Sequence, residues 1–219
     1  MGPKTRILDA TMLVFRRHGF RRSSIEQVAE AAGLTRQALY HHFESKEALF
    51  RAVVERVHEQ AMAAEDAAVV AAEQAGGDLG DILAAGMNAR MKTAIASFDG
   101  SPHIEELYSE HIAQARDLYQ KYSVLYAERL FAVVVRTARR LQLVLPQGMS
   151  AADFARLVEM AVHGSKSQHP AMQPADAFLK DMTMMVRALC AGAVPKQKPG
   201  ARKATARKRP SPSKTGGRP

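Results

Sequence analysis

The chain has 219 residues, 47% of them hydrophobic, enough for one sizeable core or two small ones. A single cysteine excludes an intramolecular disulfide framework and a cysteine-rich zinc site, and the most continuous apolar run, Leu130 to Val135, is far too short to cross a bilayer. Nine of the 31 Lys and Arg residues fall after residue 195 with no acidic residue among them, so residues 1–195 hold 22 basic and 22 acidic groups and the net +9 belongs to the tail.

Residues 5–18 place Ile7, Ala10, Thr11, Val14 and Phe15 on one face of a first helix. Its charges, Arg6, Asp9, Arg16 and Arg17, leave no apolar stretch of secretory length, so a cytoplasmic location is expected. Gly19 then reads as a left-handed C-terminal stop. Ser24 and Gln27 form a capping-box pattern that opens a second helix, which stops at Gly33. Thr35 is the N-cap of a third helix ending near Phe43. Ser45 caps a fourth, with Leu49, Phe50, Val53 and Val57 on its apolar face, that can extend to Gly76-Gly77.

Five further helices are expected at about 79–98, 102–112, 113–143, 151–168 and 175–191, punctuated by Pro102, Pro146, Gly148, Pro170 and Pro174. No stretch shows sustained alternation, so no strand is assigned. After Val194 the chain is Lys, Arg, Pro, Ala, Gly, Ser, Thr and one Gln, a composition that cannot bury enough apolar surface to offset ordering entropy. The expected fold is all-α with about nine helices. Residues 1–60 form a three-helix helix-turn-helix domain, 61–194 a helical sensor and dimerisation domain, and 195–219 a disordered basic tail.

Residues 24–43 carry the chemistry. Two short helices meet at a tight turn: Ala29 is small at their crossing, Gly33 allows positive φ, and Ile25, Val28, Leu34 and Leu39 supply the core. The opposite face of the third helix offers Arg36, Gln37, Tyr40 and His41. Arginine pairs with guanine and glutamine with adenine in a major groove, while Tyr and His side chains reach phosphates and sugars. Tyr40 reads equally as a core residue. Lys46 stands in the first turn of the fourth helix, against the helix dipole, a placement that no intramolecular role favours and a nearby phosphate would justify.

This segment resembles the tetracycline-repressor (TetR) family. The matching features are Phe15 with Gly19-Phe20, Ser24-Ile25, Val28-Ala29, Ala32 to Thr35, Leu39 to Phe43, and Ser45 to Leu49. The resemblance covers residues 5–55. It implies phosphate contacts at Thr35, Tyr40, His41 and Lys46, base reading at Arg36 and Gln37, and a place for Ser24 among the DNA-binding residues. Arg36 departs from the small residue often found there, so no operator sequence carries over.

The same resemblance implies a homodimer on a palindromic double-stranded DNA operator, formed through the last two helices, and an effector held inside the second domain. Phe154, Leu157, Val158 and Ala161, with Phe178, Met182, Met185 and Leu189, make two apolar stripes suited to the dimer; either stripe reads equally as protomer core. Met87, Met91, Tyr108, His111, Tyr119, Tyr122 and Tyr126 are candidate pocket residues for a small apolar or amphipathic molecule, with plain core packing as the alternative. His103 and His111 with Glu106 or Glu110 lack metal-ligand spacing, so neither metal nor cofactor is expected. No nucleophile turn, Walker A loop or His-Glu-x-x-His motif is present, and no enzyme activity is expected. Two rivals stay open: a DNA-organising protein that senses no ligand, and a module whose tail binds RNA or an anionic membrane.

Overall fold

The computed structural model describes residues 2–195; the segment expected to be a disordered tail lies, except for Pro195, outside them. Among the described residues nine α-helices occur: α1 (Pro3–His18), α2 (Ile25–Ala31), α3 (Arg36–Tyr40), α4 (Lys46–Gln74), α5 (Leu79–Phe98), α6 (Ile104–Gln114), α7 (Arg116–Arg140), α8 (Ala151–Gln168) and α9 (Ala175–Cys190). None is long and apolar enough to cross a membrane.

The caps explain the starts. Ser24 accepts from the Gln27 amide while the Gln27 side chain accepts from the Ser24 N–H, the reciprocal capping box. Thr35, Ser45 and Ser150 each accept one amide from the residue three places on. The third helix is shorter than expected. After Tyr40 the His42 amide turns to the Leu39 carbonyl only three residues back, and the α-helical ladder is interrupted there.

Three apolar cores stack along the molecule. The first, in the head, joins Ile7, Val14, Val28, Leu39, Leu49 and Val53 from α1 to α4. The second is an aromatic junction of Phe15, Phe20, Phe50 and Val54 with Leu107, Ala115, Leu118 and Tyr122, so α1 and α4 share a core with α6 and α7. The third fills the body between α4, α5, α7, α8 and α9. The 29-residue α4 runs through position 60 without a break and belongs to all three cores.

Four expectations are corrected. First, two two-residue strands exist, β1 (Leu143–Val144) and β2 (Val194–Pro195), paired antiparallel, because Val194 returns beside the turn after α7. Pro195 is therefore part of the paired structure. Second, Gly19 has φ 76 and ψ 169, positive φ outside the left-handed helical well. A Cβ there would stand 2.6 Å from a Glu106 carboxylate oxygen of α6, so this glycine serves a close approach as well as a stop. Third, Phe154, Val158, Phe178 and Met182 are at most 1% exposed inside the body core, so half of the dimer stripe is protomer interior. Fourth, Met87 is 1% exposed and packed in the same core rather than lining a cavity.

Candidate nucleic-acid interface and buried cavity

The head presents α3 outward. Leu39 is fully buried and anchors the helix, while Thr35, Arg36, Gln37, Tyr40 and His41 are exposed around it. Tyr40 is 40% exposed, which removes the core alternative for its ring. The Arg36 guanidinium lies over that ring, 5.5 Å from its centroid, and ion-pairs with Glu26 of α2 at 2.8 Å. Both partners of that pair are more than half exposed, so solvent screens it and it yields readily to a phosphate or a guanine. Gly33 has φ 67, which lets the turn bring α2 and α3 together.

Lys46 behaves differently from its expected role. Its ammonium donates to the carbonyls of Phe20, Arg21 and Ser23 at 3.0, 3.3 and 3.1 Å and sits 4.5 Å from the Phe20 ring centroid. An intramolecular role does favour this cation. It gathers the carbonyls of the α1–α2 turn, and its three ammonium protons are used in doing so. Ser24 likewise spends its hydroxyl oxygen on the cap of α2.

Behind the head, α6 carries contacts at both of its ends. Glu106 accepts from the Arg21 N–H at 2.8 Å, and Glu110 accepts from the Arg21 guanidinium at 2.8 Å and from Gln114 at 3.1 Å. Burial alone would raise the Glu110 carboxyl, but the hydrogen bonds from Gln114 and Arg21 bring it below its ordinary value. Glu106 and Glu110, considered above as metal ligands, are thus engaged with the head. Further along the same helix, His111 Nε2 lies 3.2 Å from His58 Nε2 of α4. His58 is also stacked on Tyr122 at 4.3 Å and hydrogen-bonded to the Tyr126 hydroxyl at 3.0 Å. Desolvation first, then the neighbouring charges, hold His58 down to about 3 and His111 down to about 4. Both rings are therefore neutral near pH 7, one donating to the other.

His58 and its neighbours wall a cavity of about 50 Å³ between α4, α5, α7 and α8. Of the seven expected pocket residues, Met91, Tyr119 and Tyr126 line it. Tyr122 and His111 stand behind His58, and Tyr108 packs beyond them with its ring 6.5 Å from His111. The charged lining was missed: Arg90, Glu159, His163 and Lys166, with Ser123 beside them. A signal existed. Glu159, Val162, His163 and Lys166 follow i, i+3, i+4, i+7 spacing on α8, and Arg90 sits three residues from Met87 and next to Met91.

Leu157, Ala161, Met185 and Leu189 of the expected dimer stripe remain at least partly exposed. They share the α8–α9 surface with Met160 and Met184, 57% and 58% exposed, which the stripe left out.

Residues 7–53 match the family model described as bacterial regulatory proteins of the tetR family. The chain is 38% identical over 60 residues to the transcriptional regulator UidR of Escherichia coli, covering 27% of this chain and 31% of that one. It is 40% identical over 48 residues to the transcriptional repressor KstR2 of Rhodococcus jostii, covering 22% and 24%. The chain thus matches less than a third of the length of these curated relatives. In fold it is similar to a transcriptional regulator of a Rhodococcus species, with TM-score 0.61, 21% identity and 89% and 100% of the two chains covered. It is similar also to SmeT, the repressor of the multidrug efflux pump SmeDEF of Stenotrophomonas maltophilia, with TM-score 0.58, 25% identity and 90% and 94% covered.

Proposed function

We propose that the chain, whose residues 7–53 match the tetracycline-repressor family of bacterial regulators, is a ligand-responsive repressor that binds a palindromic operator as a homodimer. The observation that carries the reading is the exposed face of α3: Arg36, Gln37, Tyr40 and His41 stand outward on a helix whose only fully buried residue is Leu39. That face is short, and a single five-residue helix reads too few base pairs to select a site. Two copies related by a two-fold axis read successive half-sites and gain from both. The surface suited to that pairing is the Met160, Met184 and Met185 face of α8 and α9, flanked by Leu157 and Ala161, since methionines adapt to a partner's contours.

The cavity supplies the control. A ligand entering between α4 and α8 meets His58 and, through it, His111 of α6. The same α6 grips Arg21 of the head through Glu106 and Glu110. A shift of α6 changes the separation of the two recognition helices, and its size is set by the ligand's differential affinity for the two arrangements.

Selection of bound sequences from random double-stranded DNA tests the reading. It should return a two-fold symmetric site, and Arg36→Ala and Gln37→Ala should each weaken binding by about 1–3 kcal/mol and relax one position per half-site. An asymmetric or sequence-independent outcome would leave the DNA-organising rival standing. Unchanged affinity in both variants would remove α3 from the interface.

A further inference from the structure

Arg90 is 6% exposed. Its Nη1 reaches Glu65 at 3.3 Å and its guanidinium carbon lies 4.3 Å from the Tyr126 ring centroid, but its Nε is buried with no hydrogen-bond partner. Across the cavity, Lys166 of α8 has no ion pair and no hydrogen-bond acceptor among the described residues, although it lines the same space. An unsatisfied buried donor is costly, and Lys166, partly exposed, sets a second cation without a partner on the same space. Two donors of one sign thus converge where the protein supplies too little acceptor. The carboxylates nearby do not complete the set: Glu65 is spent on Arg90, and Glu159 makes no bond to Lys166.

We propose, resting on the reading of this cavity as the effector site, that its ligand is a small organic anion, a carboxylate on a compact apolar or aromatic body, held between Lys166 and Arg90. The anionic head completes the Arg90 Nε and the Lys166 ammonium in charge-assisted hydrogen bonds. The body lies against Met91, Val162 and the rings of Tyr119 and Tyr126. A neutral ligand would leave both donors uncompensated, and a cation drawn to Glu159 would face Arg90 and Lys166. Burial, with Arg90 adding to it, pushes the Lys166 ammonium down to about 8, the environment that a bound carboxylate would reverse. At about 50 Å³ the space is well below the ~150 Å³ of an apolar cavity that encloses benzene, so the ligand must part its walls. The wall nearest the head is His58 backed by His111, which ties occupancy to movement of α6. The expected apolar or amphipathic effector is thereby narrowed to an amphipathic anion.

The test uses the full chain and three probes of one shape: benzoate, benzamide and benzylamine. Calorimetric titration should show benzoate binding roughly tenfold or more tightly than either isostere, loss of that preference in Lys166→Met, and its recovery in Lys166→Arg. Lys166 makes no hydrogen bond or ion pair among the described residues, so the Met variant should keep the parent's melting temperature, which is measured alongside. Equal affinity for benzamide, preference for benzylamine, no binding by any probe, or an unchanged preference in Lys166→Met would each overturn the proposal. Operator affinity with and without benzoate separates the two readings. Lys166-dependent benzoate binding that leaves the operator complex intact keeps the anion site and removes its role as effector site.

Discussion

In the head, the buried side chains of α1 to α3 and their turns are apolar apart from Thr11 and Ser23, both hydrogen-bonded to nearby carbonyls, and the cations stand outside. In the body, Arg90 and Glu65 are buried within the helices and Lys166 lines a cavity. The contrast follows from what each part meets. A polyanion the size of a duplex is met from outside, so a head needs only a rigid apolar core that holds donors at fixed spacing. A small molecule is recognised from within, so the body must draw polar groups inward and leave some of them incomplete until the ligand arrives.

The largest way to break this division of labour is at the aromatic junction, where head and body share a core. Phe50 is fully buried, with its ring centroid 4.9 Å from Phe20 and 5.6 Å from Phe15. Phe50→Ala should cost about 3–5 kcal/mol, read as a lowered midpoint in chemical denaturation. If the midpoint hardly moves, head and body are joined only by the exposed polar contacts and the shared core is incidental. A smaller effect separates structure from DNA contact at Lys46. Lys46→Met removes three charge-assisted bonds to turn carbonyls and should destabilise the chain by roughly 2 kcal/mol or more. The slope of log affinity against log salt should stay as it was, because no phosphate partner is lost. A slope reduced by about one unit, with stability intact, would return Lys46 to the interface.

Much of the head was legible in the sequence because its signals are local. A capping box, a positive-φ glycine and a buried residue at i+4 from Thr35 act within one or two turns of helix, and chain order alone fixes which face of α3 is free. The start of α8 was legible for the same reason, since Ser150 caps it directly. The body's site was not. Its lining comes from four helices that the chain reaches far apart, and a stripe such as Phe154, Val158, Phe178 and Met182 has the same spacing whether it meets its own protomer or another. Apolarity decided the question against the expectation: the most apolar positions went into the protomer core, and the adaptable methionines stayed outside. Lys46 misled for a related reason. Its position relative to the α4 dipole was visible, but the carbonyls it gathers lie more than twenty residues earlier and meet it only through the fold.

The smallest predicted effect concerns acid, and it bears on the body alone. His58 and His111 face one another at 3.2 Å, with Tyr122, Tyr126, Arg90 and Lys166 around them. An ordinary imidazole titrates near 6.5, while desolvation keeps these two at about 3 and about 4. Below pH 6.5 the unfolded chain therefore takes up protons that the fold refuses, so stability falls as pH falls from about 6.5 to about 4 for His111 and to about 3 for His58, and the pair has no such effect above that window. Each histidine contributes at most about 1.4 kcal/mol per pH unit in that window, less where solvent reaches the ring. Melting temperatures of the parent and of His111→Gln, taken from neutral pH down to pH about 5, should diverge: the variant loses one refused proton and falls less steeply. Parallel curves would mean that protonation of the pair is not what limits the body in acid, and that the two rings open to water before the fold yields.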